Sequence, residues 1–74
     1  MIQIWGDFNN QDENDLVRLD SVGSLADIKK FGTKLHNGLR VRISDGDLEA
    51  DGILEFTDGI WRAKILWETR KDLI

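Results

Sequence analysis

The chain contains no cysteine and no proline. The first absence excludes a disulfide framework and any thiolate metal site. The second leaves its turns to be made by other residues. No apolar run approaches the ~18 residues of a membrane-spanning helix. The opening MIQIWGDF has neither a basic region nor a small-residue cleavage site, so no signal peptide is expected. A positive excess is also missing, because the formal net charge is −4. That argues against a general nucleic-acid binder, whose affinity comes from neutralising phosphates, and against docking to an anionic membrane. The expectation is a soluble, cytoplasmic protein with no nucleic-acid or membrane partner. Its 74 residues make one small domain, residues 1–74, with no room for a second core. With no staple in sight, three Trp and three Phe are expected to supply much of the core, or a homodimer to add buried surface.

What is present is written most clearly in the second half. Leu39–Ser44, LRVRIS, alternates, with Leu39, Val41 and Ile43 on one face and Arg40, Arg42 and Ser44 on the other. This is the pattern of a half-buried strand. Asp45-Gly46 and Asp58-Gly59 are hairpin signals. Between them Leu48, Ala50, Gly52, Leu54 and Phe56 share one parity. After them Trp61, Ala63, Ile65 and Trp67 alternate with Arg62, Lys64 and Leu66. Three strands and two tight turns make an antiparallel meander. Gly52 predicts a bend in the long middle strand Asp47–Phe56. On the outer parity, basic Arg40 and Arg42, acidic Glu49, Asp51 and Glu55, and basic Arg62 and Lys64 face one another across both strand boundaries. A one-residue slip would bury these charges, so the register is firm.

The first half carries two shorter strand patterns, MIQIWGDF and Asp15–Asp20, separated by the polar NNQDEN loop. SLADIKKFG follows, with Ser24 as helix cap, Leu25, Ile28 and Phe31 at helical spacing, and Gly32 as terminator. The sequence thus predicts an α+β, mostly β domain. It is a five-stranded antiparallel bent sheet or small SH3-like barrel with one short helix, in the order β-β-α-β-β-β.

Five pieces of the chain resemble a family of small bacterial proteins. They are the aromatic-acidic opening Ile4–Phe8, the helix start Gly23–Leu25, the strand lead-in Leu35–Val41, the segment Leu48–Phe56 and the closing Trp61–Trp67. The resemblance implies a fold and carries no activity, cofactor or functional residue with it.

Four kinds of chemistry are open. DLEADGILEFTD, residues 47–58, places Asp47, Glu49, Asp51, Glu55 and Asp58 at calcium-loop spacing with Gly52 at the sixth position. Its flanks, however, alternate like strands where an EF-hand needs helices, so a metal site is kept only as the alternative. Catalysis is not expected. Glu49 and Glu55 would lie about 20 Å apart at ~3.3 Å per strand residue, His36 is the only histidine, and no phosphate-binding glycine loop is present. A nucleic-acid face built on Arg40, Arg42, Arg62 and Lys64 is neutralised by the acidic strand between them. The fourth kind is protein recognition. Trp5 either faces outward beside Asp7 on the opening strand's parity or covers the end of the core, and Ile53, Ile60 and Leu66 fall on the outer parity of the meander, where they suit a partner protein or a homodimer unless Glu68–Ile74 folds over them. The reading is a non-enzymatic protein-interaction module without a cofactor. The alternative is a calcium- or small-ligand-responsive module.

Overall fold

In the computed structural model, which describes all 74 residues, the chain forms five strands, one helix and a short 3-10 turn. They are β1 (Gln3–Trp5), β2 (Val17–Arg18), α1 (Val22–Phe31), the turn Gly32–Lys34, β3 (Arg40–Ser44), β4 (Leu48–Thr57) and β5 (Ile60–Asp72). The expected mostly β class and the order β-β-α-β-β-β are present. The strands lie in one curled sheet, a half-barrel, in the order β1-β3-β4-β5-β2. The sheet is mixed rather than wholly antiparallel, because β1 runs parallel to β3 with Ile4 opposite Ile43. β1 and β2 are therefore not hairpin partners but opposite edges. The intervening chain makes the long crossover that a parallel pair requires.

The meander follows its side-chain pattern. β3 and β4 pair from Ser44↔Glu49 to Arg40↔Ile53, and β4 and β5 from Thr57↔Ile60 inward. Asp58 and Gly59 have φ of +52° and +81°, the left-handed pair that lets a two-residue turn match the twist of its strands. Gly52 carries no bulge in β4. It pairs in register with Val41 on one side and Ile65 on the other. Its role is close approach: a Cβ there would stand 3.2 Å from the Ala63 Cβ and 3.3 Å from Ile43 Cγ1. The irregularity lies next door. Glu49 pairs with Lys71 but Asp51 with Leu66, so Trp67–Arg70 of β5 all face Ala50. Past this bulge β5 continues as strand to Asp72, and Glu68–Ile74 does not fold back as a helical turn.

The core is aliphatic. Ile4, Val17, Leu19, Val41, Ile43, Leu54 and Ala63 are sealed from solvent, with Leu35, Ala50 and Ile65 beside them. Burying each of the larger side chains contributes about 1.5–3 kcal/mol. Phe8 is the one buried aromatic residue. Phe56 and Trp67, expected on the inner parity, are 47% and 45% exposed because they lie where the strands overrun the core. Phe56 packs on Trp61 (ring centroids 5.1 Å apart) and Trp67 on Phe8 (5.7 Å).

α1 begins earlier than expected. Ser21, not Ser24, is its cap, accepting the Ser24 N–H at 3.3 Å. Lys29 and Lys30 occupy its last turn, where positive charge suits the helix dipole. Ser24, Asp27, Ile28 and Phe31 face the body of the protein, while Leu25 is 52% exposed.

Gly6 marks where the half-barrel's two edges meet. A Cβ there would lie 2.6 Å from Ile43 Cγ2, 3.3 Å from Leu19 Cδ2 and 3.7 Å from Val17 Cγ1. Gly6→Ala is therefore expected to cost about 1–3 kcal/mol by overpacking, and Gly52→Ala less. Urea denaturation of the two variants checks this, and equal costs or the reverse order would contradict the meeting of the edges at Gly6.

Candidate functional site

The acidic segment 47–58 is dispersed along β4 and its turns, and its central carboxylate is already occupied. Asp51, 6% exposed, sits beneath two arginines on the outer face. Oδ2 accepts from Arg40 Nε at 2.9 Å and lies 2.8 Å from a second guanidinium nitrogen. Oδ1 accepts from Arg42 Nε at 3.1 Å, and Arg42 reaches on to Glu49 at 3.0 Å. This is the expected cross-strand charge pairing between β3 and β4, but Asp51 is buried under its partners rather than facing solvent. Asp47, Glu55 and Asp58 are exposed and stand apart from it. No group of three or more His, Asp or Glu side chains is placed to hold a metal ion. His36 is exposed in the link to β3, its Nδ1 3.0 Å from Asn37 O.

Across β4 and β5 the pairing differs from the expectation. Arg62 stands opposite Glu55 in register yet turns the other way. Its buried Nε lies 2.9 Å from Asp12 Oδ2, an ion pair that lacks the alignment of a hydrogen bond. Its Nη1 donates to the carbonyl of Thr57 and to Thr57 Oγ1. Asp12 also accepts the N–H groups of Asn14 and Leu16 at 2.8 and 3.0 Å. These bonds, led by that from Leu16 and aided by Arg62, hold its carboxyl below the usual value against the opposing effect of burial.

The one open groove that includes a sequence-predicted site residue lies between α1 and the outer side of β1 and β3. It is about 370 Å³ in volume and is lined by Gln3, Trp5, Asp27, Lys30, Phe31 and Ser44, among others. The backbone of Trp5 is fixed from the helix. Its N–H donates to Asp27 Oδ2 at 2.8 Å, and its carbonyl accepts from Ser24 Oγ at 2.5 Å. Its ring rests on Gly23, where a Cβ would come within 3.2 Å, and the residue stays 39% exposed. Lys30 Nζ stands 5.4 Å from the centre of the Phe31 ring, within cation–π range.

The other predicted residues are not gathered here. Asp7 is spent on a local turn, accepting the Asn9 N–H at 2.9 Å. Ile53 and Leu66 are half-buried diagonal neighbours on the outer face of β4 and β5, and Ile60 stands at the far hairpin, opposite Thr57. Lys30 and Phe31 were missed as groove residues. The helical spacing of Leu25, Ile28 and Phe31 marks a packed face without telling core from rim, and Lys30 stands outside that series.

No helix is long and apolar enough to cross a membrane. Comparison with protein-family models, with curated proteins and with solved structures finds no match, so a functional reading rests on this geometry.

Asp51 gives a pH signature. The hydrogen bond from Arg40, helped by Arg42, holds its carboxyl below the usual 3.8, while burial opposes them. A carboxyl depressed in the folded state stabilises fully above its unfolded value, and that stability is lost as pH falls through the folded value. The urea midpoint is therefore expected to be level from pH 7 to about 5 and to fall below about 4. Asp51→Asn should lower the midpoint at pH 7 and flatten the acid limb. An acid limb equally steep in the variant would rule Asp51 out as a source.

Proposed function

We propose that this chain is a small non-enzymatic protein-interaction module whose recognition surface is the groove beside Trp5. The observation that carries the reading is the state of Trp5: a backbone held at both polar groups and an aromatic side chain left 39% exposed. Binding through a ring already held in place loses little conformational freedom, and tryptophan is among the commonest anchors of protein interfaces. Phe31 supplies a second apolar wall. Gln3, Asp27 and Lys30 supply a polar rim, the usual division of a binding patch. The fitting ligand is a peptide segment of a partner protein with an apolar anchor residue. A cytoplasmic setting without nucleic-acid or membrane partners belongs to the same reading, and the net charge of −4 supports the exclusion of polyanions.

The test is to pan a random peptide library on the immobilised protein and to map selected peptides by amide proton–nitrogen NMR. Perturbations should centre on Trp5, Lys30 and Phe31. Trp5→Ala should keep a dispersed spectrum and weaken binding about tenfold or more. Selected peptides that perturb another surface, or that bind Trp5→Ala as well as the parent, would refute the assignment.

A further inference from the structure

The groove beside Trp5 carries charges that have no partner within the chain. Asp27 and Lys30 both line it, and neither enters an ion pair. Asp27 Oδ2 accepts the Trp5 N–H at 2.8 Å. That bond fixes the carboxylate beside the Trp5 backbone, and Oδ1 has no partner in the chain. Lys30 does not turn back to Asp27, three residues earlier. Its Nζ stands 5.4 Å from the centre of the Phe31 ring instead.

The helix sets these groups in order. Gly23 backs the Trp5 indole, since a Cβ there would lie 3.2 Å from both Cγ and Cδ2. Asp27 is four residues on, one turn along the same face and about 6 Å of rise. Lys30 is seven residues on, about 10 Å of helix, which exceeds the ~8 Å screening length of physiological salt. The exposed ring and the carboxylate are therefore neighbours at one end, and the ammonium stands toward the other. The sheet adds to the acidic end. Ser44 is the register partner of Trp5. Gly46, two residues past it, lines the groove between Asp45 and Asp47, and neither of these is ion-paired.

We infer that this groove takes a basic segment of a partner protein, in which an arginine stacks on the Trp5 indole and donates to Asp27 while a neighbouring apolar residue meets Phe31. The inference rests on the interaction reading of the groove and adds the chemistry of its ligand. Tryptophan is the best cation–π partner among the aromatic side chains. A guanidinium is flat, so it lies on an indole and still donates from its edge to a carboxylate beside the ring. The net charge of −4 draws a cationic segment in and opposes an anionic one. An acidic segment would meet Lys30 alone against Asp27, Asp45 and Asp47.

Library peptides selected on the immobilised protein and mapped to Trp5 by NMR should be enriched in arginine next to an apolar residue. Calorimetric titration of the tightest one reads the rest. Replacing its arginine by glutamine should weaken binding about tenfold, and by glutamate further. Asp27→Asn keeps an oxygen for the Trp5 N–H and removes the charge. It should weaken the arginine peptide about tenfold and leave the glutamine peptide unchanged, whereas Lys30→Gln should not weaken the arginine peptide. Three results overturn the inference and leave the interaction reading in place: peptides that map to Trp5 without a basic residue, a glutamine peptide that binds as tightly as its arginine parent, and Lys30→Gln as damaging as Asp27→Asn. If no selected peptide maps to Trp5, both are overturned.

Discussion

The outer face of the sheet is organised by one buried carboxylate. Asp51 binds Arg40 and Arg42 of β3 through its side chain, which draws β3 onto β4 in a single register. Its backbone N–H faces β5, where Asp51 pairs with Leu66. It donates to Thr69 Oγ1 at 2.7 Å, and that hydroxyl donates in turn to Leu66 O at 2.6 Å. The side chain of Thr69 thus ties the two strands together, and the bulge of Trp67–Arg70 lies at that point. A buried ion pair is a poor source of net stability, because desolvation cancels most of the attraction. What this one supplies is uniqueness. A slip of either neighbour would leave a buried charge unpaired, at a cost no apolar contact offsets.

The two sheet edges are managed by different means. At β1 the helix closes the edge: Ser24 and Asp27 take the backbone groups of Trp5 that a further strand would use. An edge filled at Trp5 has less backbone to offer another chain, so Trp5 offers its side chain and not its backbone, which suits the proposed groove to pocket-type recognition. At β2 the edge is covered only in part. Asn10 O accepts the Arg18 N–H at 2.8 Å and the chain then turns back on itself through Asp12, so protection stops before Ile65.

The meander was legible because period-two alternation and Asp-Gly turns act over a few residues and owe nothing to the rest of the fold. The pairing of Arg40 and Arg42 with Asp51 was legible for the same reason. Other features depend on distant partners. The parallel direction of β1 is set by the path of residues 9–39, and no local pattern in Gln3–Trp5 encodes it. Ser21 and Ser24 are equivalent as caps in sequence. The contact with the Trp5 carbonyl puts Ser24 inside the helix and leaves Ser21 to cap it. Glycine in a strand signals both bends and close approach, and only the positions of Ala63 and Ile43 reveal the close approach at Gly52. Arg62 chose Asp12 over Glu55 because the 9–16 loop lies across that end of the sheet. Among the candidate residues, Trp5 was found by its parity, whereas the groove around it depends on where α1 docks.

The distribution of aromatic residues bears on the proposed surface. Of three Trp and three Phe, only Phe8 is buried, so the expectation that these residues supply much of the core is not met. Space explains part of this. Ala50, Gly52 and Ala63 face the interior of a tightly curled sheet, and Gly52 already touches its neighbours at the limit of contact. Rings do not fit where strands close in this way, and β-branched and small side chains do. The large apolar residues are consequently placed at the rim: Trp5 at the helix groove, Trp67 at the β5 edge, and Phe56 with Trp61 at the hairpin. In a small domain whose stability is marginal, apolar surface left outside the core is a sizeable part of what hydrophobic burial can offer. One of those rim tryptophans, Trp5, borders the proposed groove, so burial withheld from folding is available there for association.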